Sequence, residues 1–285
     1  VFKKCVQHFL NTFRDWDGLV LAGFLGDNQH MNNQFILTPY FLGEHSLELE
    51  ALAQPGWRLN KPLATGNTLQ ERLSVRHQAI ADFAAGAIGR GERPISIAGD
   101  CCTTIGMLAG LQRAGLNPVV VWLDAHGDFN TWQTSPQGFL GGMPLAMLVG
   151  RGEQTMVEAV GIRLVAEERV ILSDARDLDP AEEQALAASD VHHLSDPRDL
   201  LTHPLLGEPF YLHFDMDLVN PNDAPAMSYR TPGGPSAAEL RSIFRALAQT
   251  GRVAAVSVAT WNPELDGNGQ SRKVCMDLLQ TLIEN

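Results

Sequence analysis

No run in this chain approaches the roughly 18 apolar residues of a membrane-spanning helix. A membrane is therefore not the expected partner. Val1 to Leu10 carries two lysines but no signal-like apolar core and no small-residue cleavage site. Positive charge is in deficit: 21 Lys and Arg stand against 33 Asp and Glu, for a net charge of -12. That balance argues against nucleic acid or anionic lipid, whose phosphates are held by cationic surfaces. Cysteine is scarce, with 4 in all. Cys101 and Cys102 are adjacent, and Cys5 and Cys275 lie near the ends, so no disulfide framework is implied. A reducing cytoplasm is the expected compartment. Neither Gly-x-Gly-x-x-Gly nor a P-loop occurs, which leaves a nucleotide cofactor without support. No Pro/Gly/Ser-rich linker, charge block or internal repeat divides the 285 residues. One domain over residues 1–285 is the simpler expectation.

What the chain does have is short apolar runs alternating with helical patterns. Strands are expected at Gly18–Gly23, Pro94–Ala98, Pro118–Leu123, Arg169–Ser173, Val191–Leu194, Phe210–Asp215 and Val253–Ala259. Helices are expected from Leu69 to about Ala87, up to Ala114, at Met143–Val149, at Ala181–Ala188, from Ser236 to about Ala248 and from Ser271 to Ile283. Thr68 and Ser236 fit as N-caps. Val1 to Trp16 reads as a short helix or a variable segment, and Gly26 to Pro62 resists assignment. Alternation of this kind predicts an α/β fold: a mostly parallel sheet with helices on both faces, three layers deep.

Two of the strand ends are acidic. The first is Asp124-Ala-His-Gly-Asp128, directly after an apolar run; the second is Asp215-Met-Asp217. In an extended chain alternate side chains share a side, so Asp124, His126 and Asp128 converge if the backbone stays extended. Carboxylates with an imidazole suit a divalent cation. A polar loop with accidental acids is the bland alternative for either stretch alone; two such ends suggest one shared metal site. Gly99-Asp-Cys-Cys102 and the Thr260 loop add two more polar strand ends. His213, two residues before Asp215, can face the site, although such a histidine more often packs within its strand. Asp100 is either a supporting acceptor or a turn residue.

In order and spacing these motifs resemble the arginase/agmatinase (ureohydrolase) family from about Ile95 to Pro263. Asn130-Thr131, Asp177-Leu-Asp-Pro180, Thr231-Pro-Gly-Gly234 and Asn262-Pro263 support the likeness. The resemblance implies hydrolysis of a guanidino or amidine carbon at a two-metal site, usually two Mn2+, with iron, cobalt, nickel or zinc also compatible. It implies Asp124 and Asp215 as bridging ligands, Asp128 on one ion, and His126 and Asp217 on the other. Two cations lower the pKa of a water between them and so create a nucleophile near neutral pH. Asp128 and Thr260 fall on the catalytic positions. Asn130 matches a contact to an amino-acid carboxylate, and Asp179 one to an α-amino group. Asp179-Pro180 fits a helix start equally well, with Asp179 as cap.

Three positions depart from the family pattern. Cys101 stands where most members have a metal-binding histidine. A thiolate still binds metal; a small buried cysteine is the alternative, a part that Cys102 also fits. Gly141 stands where arginases place a proton-shuttling histidine. Thr260 stands where a glutamate faces the guanidinium. An N-hydroxyguanidine is less basic than a guanidine and needs less from both missing groups. The pattern is similar to the hydroxyarginine amidinohydrolase branch of D-cycloserine antibiotic biosynthesis, which releases hydroxyurea and ornithine. The expected partner is thus a small guanidino compound, and the chain acts as a monomer or homo-oligomer. Another amidine substrate (arginine, agmatine, guanidinobutyrate, formiminoglutamate) and a non-catalytic metal-binding protein are the competing expectations.

Overall fold

A computed structural model describes residues 31–259 and 261–284. The elements expected at Val1–Trp16 and Gly18–Gly23, and the candidate Thr260, lie outside the described residues. The stretch that resisted assignment forms strand β1 (Asn33–Thr38), the hairpin β2 (Tyr40–Phe41) and β3 (Glu44–His45), the short helix α1 (Leu47–Glu50), and strand β4 (Arg58–Leu59). Helix α2 (Leu69–Gly89) begins at Thr68, whose hydroxyl accepts from Glu71 N while the Glu71 carboxylate accepts from Thr68 N. Then come β5 (Arg93–Ala98), α3 (Thr104–Arg113), β6 (Val119–Asp124), α4 (Pro144–Leu148) and α5 (Thr155–Val160). The remainder is β7 (Val170–Asp174), α6 (Pro180–Ala187), β8 (His192–Leu194), β9 (Phe210–Asp215), α7 (Ala237–Gln249), β10 (Val253–Ala259) and α8 (Gln270–Ile283). Helix α5 follows a glycine-containing loop and carries no strong sequence signal.

Among the described residues, eight strands form one sheet in the order β4-β1-β5-β10-β9-β6-β7-β8. Every pairing in it is parallel. Parallel strands are covered on both faces, which is why their sequences read as unbroken apolar runs. In β6, Val120 and Trp122 pack with α2, α3 and α4 on one face. Val119, Val121 and Leu123 pack with α7 and α8 on the other. Helices α2 and α3 approach closely because Gly106 has no side chain: a Cβ there would lie 2.6 Å from the His77 carbonyl oxygen. The expected three-layer arrangement is the observed one.

Sheet order makes the site. β5, β10, β9 and β6 are separated in sequence but are consecutive neighbours at the centre of the sheet. Their C-terminal ends therefore meet, at the edge where open α/β sheets bind ligands. One expectation about local geometry fails. The backbone does not stay extended past β6 and β9. Asp128 has φ 49, and Met216–Leu218 forms a tight 3-10 turn. Each leading aspartate bonds back to the chain it starts: Asp124 Oδ1 accepts from His126 N at 2.7 Å, and Asp215 Oδ1 from Asp217 N at 2.9 Å. Such Asx turns satisfy buried backbone donors while curling the chain. The acids converge through turns, not through strand alternation.

Candidate metal centre

Asp124, Asp128, Asp215 and Asp217 are all buried. His126 sits between two of them, with Nδ1 3.0 Å from Asp217 Oδ2 and 3.4 Å from Asp124 Oδ1. Its Nε2 meets the Thr231 hydroxyl at 3.3 Å, and that hydroxyl donates to Asp177 Oδ2 at 3.3 Å. Cys101 Sγ donates to Asp215 Oδ2 at 3.0 Å and lies 4.0 Å from Asp124 Oδ2. Cys102 points elsewhere, toward the Leu140 carbonyl oxygen at 3.8 Å. Asp100 is a turn residue: its carboxylate accepts from Leu42 N and Cys102 N.

Burial dominates the electrostatics. It raises Asp124, Asp128 and Asp215, and repulsion from neighbouring carboxylates raises them further. Burial also raises the Cys101 thiol, as do Asp215, Asp128 and Asp124. For His126, burial opposes the charged ring, but Asp124 and Asp217 outweigh it and push the imidazole up to about 12. Several anions forced together out of water are tolerable only with compensating positive charge. Divalent cations supply that charge, and the donors suit them. One atom from each of Asp124, His126 and Asp217 lies within 4.8 Å of the others, as does one from each of Cys101, Asp124 and His213. Asp128 Oδ2 is buried and has no hydrogen-bond partner among the described residues. The residues present fit a pair of metal ions sharing Asp124.

A cavity of about 300 Å³ opens over these residues. Asn130 and Asp179 lie in its wall, joined by a 3.0 Å hydrogen bond from Asn130 Nδ2 to Asp179 Oδ2. Asp179 also occupies the N-cap position of α6, with its backbone N–H donating to Glu182 Oε2. Phe41, Phe139 and Tyr229 form an aromatic cluster at the mouth; the Phe139 and Tyr229 rings are 5.3 Å apart. Gly141 also borders the cavity, beneath the Phe139 ring. A Cβ on Gly141 would stand 2.5 Å from Phe139 Cζ. The ring thus fills the space that a larger residue at 141 needs.

Sequence reasoning missed two supporting residues. Glu182 is buried three positions into α6. Its carboxylate accepts from Phe129 N at 2.8 Å and Asp179 N at 3.3 Å, tying the Asp128 loop to the α6 start. Burial pushes it up to about 7, against these two hydrogen bonds. The Asp179-Pro-Ala-Glu182 spacing was a readable capping signal. Arg176 had no such signal. Its guanidinium donates to the carbonyl oxygens of Asp217, Leu218, Thr231 and Pro232 and pairs with buried Asp174. Arg176→Ala strands those acceptors and the Asp174 charge. It is expected to cost about 3 kcal/mol of stability, read as a lower urea midpoint with unchanged slope. His192, His193 and His203 lie away from the centre: His192 meets His203 edge to face, and His193 bonds the Asp174 carbonyl oxygen. Trp122 is core, with Nε1 donating to Asp124 Oδ2 at 3.3 Å. Trp261 is also buried and lines a separate pocket.

A sequence model of the arginase family matches residues 45–284 of this chain. An arginase of Schizosaccharomyces pombe is 32% identical over 280 residues, covering 92% of this chain and 82% of that protein. The crystal structure of an arginase from Bacillus subtilis superposes with a TM-score of 0.76 at 25% identity, over 90% of this chain and 99% of that one. A formimidoylglutamase from Bacillus subtilis shares the fold, with a TM-score of 0.67 at 16% identity over 90% and 88% of the two chains. Among the described residues, no helix is long and apolar enough to cross a membrane.

Proposed function

The chain belongs to the arginase family, whose members are hydrolases of guanidino C–N bonds, and from that premise we propose that its substrate is Nω-hydroxy-L-arginine, cleaved to hydroxyurea and L-ornithine. The observation that supports this most is the Phe139 ring over Gly141. Glycine at 141 offers no imidazole to protonate a departing amine, and the Phe139 ring occupies the space beside it. A guanidine is strongly basic and stays protonated as guanidinium, which is poorly served by such a site. An N-hydroxyl group withdraws electrons and lowers the proton affinity, so the neutral form is far more accessible near pH 7 than for a guanidine. That form needs neither a carboxylate partner nor as strong an acid.

The proposed ligands are Cys101, Asp124, Asp128 and Asp215 for one ion, and His126, Asp124, Asp215 and Asp217 for the other. Manganese suits the carboxylate-rich side. The chemistry supplied by cations at this position is Lewis acidity, which provides a nucleophile from water near neutral pH. The chain's own part is placement. Asx turns aim the second oxygens of Asp124 and Asp215 at one point. Thr231 holds His126 at Nε2 and leaves Nδ1 for a cation. Asp128, buried with an oxygen that has no hydrogen-bond partner among the described residues, lines the cavity where the substrate would react. Asn130 receives the substrate's α-carboxylate and Asp179 its α-ammonium, which favours an amino acid over agmatine.

A substrate panel tests the reading. Hydroxyarginine, arginine, agmatine, guanidinobutyrate and formiminoglutamate are each assayed for urea, hydroxyurea, formamide and ammonia. Hydroxyarginine is expected to exceed arginine in kcat/KM by about 100-fold or more, the scale of one missing general acid. Equal turnover of arginine would sink the substrate assignment. Full metal loading with no hydrolysis of any compound would mark a non-catalytic binder instead.

A further inference from the structure

His213 is fully buried on β9, two residues before Asp215 and on the same face. Its register neighbours are Trp122 on β6 and Ser257 on β10. The Trp122 ring packs against the imidazole with centroids 4.2 Å apart. Nδ1 lies 2.8 Å from Ser257 Oγ, and that hydroxyl lies 2.6 Å from Tyr211 Oη. Nε2 has no hydrogen-bond partner among the described residues. A buried ring nitrogen left unpaired costs about 1–3 kcal/mol. Such a cost points to a ligand.

What lies on its open side is specific. One donor atom each from His213, Cys101 and Asp124 sits within 4.8 Å of the other two. Donors around one cation stand roughly 3.4–4.4 Å apart, given bonds of about 2.1 Å to nitrogen and 2.3 Å to sulfur. The 4.8 Å limit within which these three atoms fall is close to that range. Nδ1–H donating to Ser257 leaves the Nε2 lone pair unprotonated, the tautomer that binds metal.

We propose that His213 Nε2 is a ligand of the first metal ion, beside Cys101 Sγ and Asp124. Burial alone fits a packed strand histidine; an orphaned nitrogen converging on a thiol and a carboxylate does not. The inference rests on the two-metal reading above and refines it. The two sites become unequal. Thiolate, imidazole and carboxylate together are softer than the His126, Asp124 and Asp217 set. The first site therefore favours cobalt, iron or zinc over manganese, and the second keeps the harder preference.

Cobalt(II) is the probe, on the full chain. Wild type is expected to bind two ions per chain by elemental analysis and to show thiolate-to-cobalt absorption in the near ultraviolet. His213→Asn keeps a polar atom near Ser257 but removes the Nε2 donor. It is expected to weaken the thiolate-linked ion by at least about tenfold and to leave the other ion in place. Two ions bound by H213N with unchanged affinity and absorption would overturn the inference. Wild type binding no cobalt at all would overturn the two-metal reading, and this inference with it. Proton NMR of cobalt-loaded wild type needs no variant. Two hyperfine-shifted imidazole N–H signals, from His126 and His213, support the assignment; a single one overturns it.

Discussion

Asp215→Asn is expected to abolish hydrolysis and, in chelator-treated protein, to raise stability at the same time. Asp215 offers one oxygen to the point shared with Cys101, and its other oxygen holds the Asp217 turn. Asparagine keeps the turn bond and removes the charge that binds cations. The loss in kcat/KM is expected to be at least about 1,000-fold, or about 4 kcal/mol of transition-state stabilisation. Stability moves the other way because Asp215 is a buried acid whose pKa is raised by burial and by Asp217 and Asp124. A carboxyl raised in the folded chain keeps its proton when the unfolded chain has released it. Folded protein then binds more protons, so metal-free stability falls as pH rises above the ordinary range of about 4. Removing that group lifts the penalty at high pH and changes little at low pH. Metal-free D215N is expected to gain about 1–3 kcal/mol over wild type at pH 8, with the gap closing as pH falls toward 4. Urea melts across that range, with and without chelator, measure it. A variant less stable than wild type at pH 8 without metal would contradict the electrostatic account.

The second large effect concerns Gly141 and Phe139 together. Gly141→His alone is expected to add no arginine hydrolysis. The new side chain starts 2.5 Å from Phe139 Cζ, so the ring must move aside before an imidazole can settle. With Phe139→Ala in the same chain the ring is gone and an imidazole has room beside the cavity. Arginine turnover is then expected to rise by about 100-fold over G141H alone, the usual yield of a positioned general acid. The preference for hydroxyarginine should narrow correspondingly. Steady-state assays of the two single variants and the double variant form a cycle whose coupling term reports the effect. An unchanged substrate ratio in the double variant would mean that leaving-group protonation does not separate the two substrates.

Particular residues mark where sequence reasoning succeeded and where it stopped. Val253–Ala259 was readable end to end because a strand buried on both faces has no polar interruptions. Thr68 and Ser236 announced their helices through caps that act within three residues. The Gly26–Pro62 region was opaque because its strands of two residues, Tyr40–Phe41, Glu44–His45 and Arg58–Leu59, are too short to show a period. Arg176 was missed since its partners are backbone carbonyls more than 40 residues away, apart from Asp174. Backbone acceptors have no sequence signature.

By itself, the order of residues determined the α/β class, the acidic strand ends and the family they belong to. These follow from local patterning, where burial on one or two faces and short ligand spacings are written along the chain. Which strands stand side by side was settled only in three dimensions. Placing β10 and β9 between β5 and β6 set Cys101 against Asp215 and put Ser257 and Trp122 on either side of His213. Those encounters depend on crossover connections and close packing among residues far apart in sequence, which no local pattern encodes.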